Sequence, residues 1–326
     1  MSIKQKLKSN NLIRGIGKKI NIDSQFRQDA KDFSKNYVEE AVKKGDFRYS
    51  ILLLVHSLEK GMCMPNPRPY GLDKVKELIG YLDAYPEESR GEFEYQLGVA
   101  ALFAWADFFA KHDWQSEPAY NDVNAFLKDK NRNPELQAGA KLYRPGDTLV
   151  DNKVYEEMFL SRHSVRDYQE RKIDPEDVQF ALKCFVETPT ACNRQMCRVY
   201  YVQNQEITDL LNRVVIGVPG FNKKTVQYFL VTYDLASFAY SGERQQGLFN
   251  AGLCTMNFIN GLHAKGIGSC CLQWSNKYEQ DLEVRKKLGL TESERIGIVI
   301  GAGYYLEENI IPCSVRRKPE DVFKII

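Results

Sequence analysis

The sequence predicts an α+β protein in which an all-helical region precedes a region of mixed strands and helices. Three observations carry this prediction. Apolar residues recur at helical spacing from Asp23 to about Arg132. Asn131 to Asp147 is rich in Asn, Pro and Gly and reads as a linker. After Asp151, runs rich in Val, Tyr and Phe appear, as strands require. The 326 residues suit about two domains at roughly 150 residues each. They divide into a basic arm (1–22), a helical domain (23–150) and a mixed domain (151–326).

The arm places Ile3, Leu7, Ile13, Ile16 and Ile20 at helix-like spacing among lysines. Asn10, Asn11, Gly15 and Gly17 weaken a helix there, so it reads as a mobile solvated arm. The alternative is a weak contact with a membrane surface or a protein partner. Asp23-Ser24 offers a helix cap, followed by an apolar face of Phe26, Ala30, Phe33, Tyr37 and Val38. Asp46 can cap a second helix running to Lys60 and closed by Gly61. Met64 to Pro69 carries three prolines and must be extended loop. A third helix fits Asp73 to Ala84. A fourth, Glu87 to His112, is apolar on most faces and forms the buried centre of this half.

In the second half, Arg198–Gln203, Tyr228–Asp234 and Arg295–Tyr305 read as strands. Asp174-Pro175-Glu176-Asp177 is a full helix start: cap, proline in the first turn, then acids at the positive end of the dipole. Leu248 to Lys265 is a long, largely apolar helix stopped by Gly266. A helix this apolar is a domain centre or a subunit interface.

Apolar residues make up 43% and charged residues 27%, which excludes disorder for the bulk of the chain. The net charge is +2, without the basic excess of a nucleic-acid binder. That average conceals six basic and no acidic residues in Met1–Ile22, against −4 for the remainder. Leu97–Ala106, the longest near-continuous apolar stretch, is half of the roughly 20 residues a membrane span needs. The basic start lacks a secretory h-region. No pair of the eight cysteines forms a CxxC motif, which fits free thiols in the cytoplasm and no metal site.

Three segments can carry chemistry. Ser161-Arg162-His163-Ser164-Val165-Arg166 offers two guanidinium forks and hydroxyls that suit a phosphate. Arg316-Arg317-Lys318 is a second basic cluster, and the two would form one anion pocket if they met. Otherwise both are solvated runs. Pro189 to Gln195 has small residues for close backbone approach, and amides that both donate and accept toward a heterocycle. Its other reading is an ordinary turn. Gly266 to Trp274 is a Gly-rich turn in which Trp274 stacks on a ring or fills the core.

In this order, Arg162-His163-Ser164-Val165-Arg166, Thr190–Gln195, Gly268-Ser269-Cys270 and Arg316 resemble the nitroreductase family of FMN flavoproteins. The resemblance covers about Asn152 to Ile326. It implies an α/β sandwich around a mixed sheet, and an intertwined homodimer with FMN at its interface. It places Arg162, His163, Ser164 and Arg166 at the FMN phosphate and ribityl chain, with Arg316 closing the phosphate site. Thr190, Ala191, Asn193 and Gln195 would border the isoalloxazine ring. Leu272, Gln273 and Trp274 would lie near its reactive edge. Leu248–Lys265 would be the central dimer helix.

The chain departs from the family pattern. Met196-Cys197 stand where many members have Pro-Trp. Gly217-Val218-Pro219-Gly220 stands where many carry an Asn, with Asn222 nearby as a weak substitute. The segment between Tyr201 and Tyr228 is short, so the usual helical lid is reduced. The helical half, with His56-Ser57-Leu58-Glu59-Lys60-Gly61, resembles an extension on nitroreductase-like proteins of surface-polysaccharide gene sets. His56, Glu59 and Lys60, with Arg48 two turns earlier, read as a polar cluster toward a ligand or as a helix-end ion pair.

The resemblance implies an FMN-dependent NAD(P)H oxidoreductase that reduces a small organic acceptor in two-electron, ping-pong fashion. Nitroaromatics, quinones and enones are the candidate acceptors. The alternatives are a flavin-binding regulatory or structural partner in surface-polysaccharide synthesis, and a flavin-dependent dehydrogenase.

Overall fold

The computed structural model describes residues 11–147 and 149–326. Lys4, Lys6 and Lys8, with Ile3 and Leu7, lie outside them. The first helix, α1, spans Asn11–Asn36 without a break at Asp23 or Ser24. From residue 11 onward the basic segment is therefore helical. Each glycine costs about 1 kcal/mol in a helix. Propagation from a docked end offsets this, and that end is anchored: Asp32 and Asn36 are buried.

The helical half continues with α2 (Val38–Lys43), α3 (Arg48–Met62), α4 (Leu72–Ala84), α5 (Phe93–Lys111) and α6 (Pro118–Leu127). Asp46 stands two residues before α3. It accepts the Arg48 amide at 3.2 Å and pairs with its guanidinium at 2.8 Å. Gly61 lies inside α3, not beyond its end, and a side chain there would meet the Tyr70 ring, with a Cβ 2.0 Å from it. The Glu87–His112 prediction covers two elements. A short 3-10 turn at Glu87–Ser89 is followed by a break around Gly91 before α5 begins. Leu58, Leu78, Leu102, Trp105 and Phe109 form the buried centre of this half.

The second half opens with α7 (Asn152–Ser161) and α8 (Pro175–Val186), whose cap Asp174 accepts the Glu176 amide as expected. There follow β1 (Cys197–Val202), α9 (Gln205–Val214), β2 (Gln227–Asp234), α10 (Gln246–Ala264), β3 (Ile267–Leu272), α11 (Tyr278–Lys287), β4 (Glu294–Tyr304) and α12 (Pro319–Val322). The sheet order is β1-β2-β4-β3, and the three pairings are antiparallel. The parallel component is a bridge from Ser164 to Ser269. β3 replaces the turn expected at Gly268–Cys270. The fold class is α+β with helices preceding and covering the sheet.

One hydrophobic core runs through both halves, from Ile51, Leu58 and Trp105 to Phe229, Phe258 and Ile300. A polar seam accompanies it. The Tyr49 hydroxyl donates to the buried Asp234 carboxylate at 3.2 Å. Arg48 and Arg198 approach the same carboxylate at 3.8 and 3.6 Å. Arg198 also lies 3.9 Å from Glu294. A second core, including Val165, Leu210, Leu211, Phe221, Tyr228 and Leu272, fills the other face of the sheet. No helix among the described residues is long and apolar enough to cross a membrane.

Candidate functional site

The segment Arg162–Arg166 leaves α7 in extended form and lies along β3, where the Val165 amide donates to the Ser269 carbonyl at 3.0 Å. Val165 is 1% exposed. Its burial turns Arg166 outward; His163 is also exposed, while Arg162 and Ser164 are partly buried. Among the described residues neither Arg162 nor Arg166 has an ion-pair partner. The buried Cys270 thiol is pushed up by burial, against the opposing influence of Arg166, Ser164 and Arg162. Arg162, Ser164, Arg166 and Cys270 therefore sit together.

His263, which the sequence reading did not single out, stitches this cluster. Its Nε2 lies 2.8 Å from the Ser161 hydroxyl and its Nδ1 lies 2.9 Å from the Tyr305 hydroxyl. Burial, with the positive charges of Arg162 and His163, holds its imidazole below the usual range. An unfolded imidazole titrates near pH 6.5. The stabilisation from neutral His263 is thus complete above about pH 6.5 and falls as the pH drops below it. We expect thermal stability to decline between about pH 7 and 5, less steeply in His263→Gln. A scan of melting temperature against pH tests this, and equal slopes would refute it. His56 shifts the same way, through burial and Lys60, so some slope remains in the variant.

The second predicted segment is a strained loop. Cys192, Asn193 and Gln195 adopt left-handed backbone with φ of 52°, 51° and 50°. Such conformations are costly outside glycine and concentrate at functional sites. The intervening Arg194 fixes the loop and is 1% exposed. Its guanidinium donates to the Ala191 carbonyl at 2.9 Å and to Glu243 at 3.1 Å. The Ala191 amide donates to Asn250 of α10 at 2.9 Å, and Thr190 Oγ1 accepts the Gln195 amide at 2.9 Å. A cavity of about 100 Å³ lies beneath, lined by Thr190, Gln195, Cys197 and Cys254 among others. Arg194 and Glu243 are 49 residues apart, so no local pattern could reveal the pair. Asn250 did leave a signal, since a buried amide on an apolar helix requires a partner.

The third segment is divided by strand alternation. Leu272 is buried in the second core, while Cys271 and Gln273 are exposed. Trp274 donates to Asp281 of α11 at 2.9 Å and packs on the second core. The loop after α9 approaches Leu272, for a Cβ on Gly217 would stand 3.0 Å from its side chain. Asn222 closes its own turn by accepting the Lys224 amide at 3.2 Å. Arg316 is exposed and donates to the Ser314 carbonyl at 2.8 Å. His56 and Glu59 are 3.8 Å apart. Burial pushes the Glu59 carboxyl up, against a bond from the Gly139 amide. Arg48 belongs to the Asp46–Asp234 seam and not to this pair.

Residues 160–249 and 236–304 match the family model described as Nitroreductase family. The second half of the chain is thus similar to the nitroreductase family over residues 160–304. A protein of Archaeoglobus fulgidus named "Putative NADH dehydrogenase/NAD(P)H nitroreductase" is 25% identical over 152 residues, covering 46% of this chain and 85% of that protein. The FMN-dependent nitroreductase of Clostridium difficile R20291 is similar at 18% identity and a TM-score of 0.42, over 51% of this chain and 94% of that one. A nitroreductase family protein of Streptococcus pneumoniae TIGR4 is similar at 19% identity and a TM-score of 0.44, over 53% and 100%.

Within the second half of the chain the two predicted half-sites stand apart. The Thr190–Gln195 loop is tied to α10 at Asn250, and the Arg162 cluster is tied to it at His263. At 1.5 Å per residue those anchors are about 20 Å apart along the helix. Between them α10 presents Gly252 and Leu253 to solvent, with Leu253 38% exposed.

Proposed function

We propose that the protein is a cytoplasmic FMN-dependent oxidoreductase that takes electrons from NAD(P)H and passes them to a small organic acceptor. Nitroaromatics, quinones and enones are the acceptors we assign. The observation that carries this reading is the Arg162–Arg166 segment fixed on β3, with Arg166 exposed and Arg162 partly so. Its two guanidinium groups lack anionic partners among the described residues and suit a phosphate. The loop at Thr190–Gln195, with its left-handed residues and small side chains, suits the edge of a flat heterocycle. FMN, when bound, supplies the two-electron chemistry by accepting from the nicotinamide and giving to the acceptor in turn. The chain's own part is to hold the phosphate, border the ring and shape access.

The separation of the half-sites along α10 supports a homodimer. A two-fold partner packed antiparallel on the exposed face of α10 would bring the loop of one chain beside the Arg162 cluster of the other. Two equivalent sites would result. Arg316, on the exposed C-terminal segment, would close the phosphate site in that assembly. The basic start of α1, with Ile16 and Ile20 exposed, is assigned to a weaker contact with another protein. The helical half is treated as one domain (23–150) and the flavin-binding half as another (151–326).

The test is the absorption spectrum of the purified protein, followed by stopped-flow mixing with NADH and NADPH and by gel filtration. We expect a flavin spectrum, bleaching by at least one nucleotide, and a dimer. A protein that neither carries nor binds FMN would defeat the reading. A bound flavin that neither nucleotide bleaches would instead favour the regulatory role.

A further inference from the structure

The helical half creates a cavity that the flavin reading does not use. It has a volume of about 820 Å³ and lies between α1 and the start of α10. This is within the range of small-molecule sites. Phe26 and Phe33 come from α1, Tyr233 from the end of β2, and Phe249 from α10. Phe26 is 67% exposed although it stands over this hollow. Rings placed in this way gain by covering a flat apolar body.

The charges at the rim are unequal. Arg295 donates to the Glu292 and Glu294 carbonyls at 2.7 and 2.9 Å and pairs with Asp32, so its donors are engaged. Asp29 lines the cavity too, within electrostatic reach of Arg295. Arg244 lines the same cavity with no ion pair among the described residues, and makes only a long 3.4 Å contact to the Ser241 carbonyl. An uncommitted guanidinium beside aromatic walls matches a carboxylate on an aromatic ring.

We propose that this cavity binds an aromatic carboxylate, with its ring between Phe26, Phe33 and Phe249 and its carboxylate on Arg244. The ligand class follows from the walls and the rim and does not depend on the flavin. The extension would then contribute a binding site, not merely bulk. The neighbouring Glu243 clamps the Thr190–Gln195 loop through Arg194, so the 241–249 segment touches both the cavity and the loop.

The experiment is isothermal titration of the full-length protein, as purified, with 2-naphthoate and with its neutral counterpart 2-naphthamide. We expect one saturable naphthoate site per chain. Arg244→Ala should weaken naphthoate about tenfold or more, as loss of a charge-assisted bond does, and change naphthamide far less. Phe26→Ala should weaken both. Both side chains are exposed, so neither variant threatens the fold. Absence of saturable binding would overturn the proposal, as would naphthoate binding that Arg162→Ala abolishes and Arg244→Ala leaves intact. No nicotinamide or reducible probe is involved, so a failure here is distinct from a failure of the flavin reading.

Discussion

Replacing Arg194 with Ala should destabilise the fold by about 3 kcal/mol, because it breaks a buried ion pair and strands its partners. The guanidinium is 1% exposed and holds the Ala191 carbonyl, the Ser237 carbonyl and Glu243 together. Without it, Glu243 keeps bonds from the Ala239 and Tyr240 amides but loses its counter-charge. Burial pushes the Glu243 carboxyl up, but the Arg194 bond and these amides outweigh it and hold the group below its ordinary range. Arg194 therefore contributes at neutral pH, and the contribution fades as the pH falls through the depressed titration of Glu243. Urea unfolding of wild type and Arg194→Ala at pH 7 and in steps from about pH 4.5 down to about pH 2.5 would measure both effects. A midpoint unmoved at pH 7 would show that the pair is dispensable. Arg194→Lys should recover only part of the loss, since an ammonium cannot reproduce the planar fork.

Replacing Arg162 with Ala should weaken FMN about 10- to 100-fold, the range expected when a charged hydrogen bond to phosphate is lost. Fold stability should change little, because Arg162 is only partly buried and has no ion-pair partner among the described residues. The measurement is fluorescence titration of flavin-stripped protein with FMN and with riboflavin. The phosphate reading requires the loss to appear with FMN and to be small with riboflavin. Equal losses for both would mean that Arg162 acts on the ring or on the fold. An unchanged FMN affinity would place the phosphate elsewhere.

The strands that the sequence revealed are those whose signal is local. Arg198–Gln203, Tyr228–Asp234 and Arg295–Tyr305 each fall within one residue of β1, β2 and β4, because β-branched and aromatic runs mark them. From sequence alone β3 reads as a turn, because Gly266 precedes it and Gly268 and two cysteines dominate Ile267–Leu272. What makes it a strand is its register with β4, Ile267 opposite Tyr304 through Leu272 opposite Val299. That is a long-range fact. Asp23-Ser24 had the chemistry of a cap but lies inside α1, since a cap motif matters only where a helix has reason to begin. Gly61 shows the opposite case. It looks like a helix stop but serves as a seat for the Tyr70 ring.

The candidate site was legible in its residues and not in its arrangement. Arg162, Ser164 and Arg166 could be picked out because a phosphate needs their donors at short spacing. The clamp of Arg194 on Glu243 and the stitch of His263 between Ser161 and Tyr305 join residues 42 to 102 positions apart. No window of sequence contains them. The separation of the half-sites along α10 was equally invisible, because it depends on which turn of the helix each loop is tied to.

The continuous core and the seam at Asp234 bear on how this chain can be divided. A chain beginning at residue 151 would leave Asp234 without Tyr49 and Arg48, and would bare the turns at Ala191–Asn193 and Leu235–Ser237 that α3 now packs against. The extension thus behaves less like an appended module than like half of a laminate, in which neither sheet survives delamination. Limited proteolysis in the 131–147 connector would nick the chain without releasing its pieces. Any lineage that acquired the extension would have had to reshape the face of the second half to receive it. The two parts would afterwards drift as one surface, each constrained by the other's side chains.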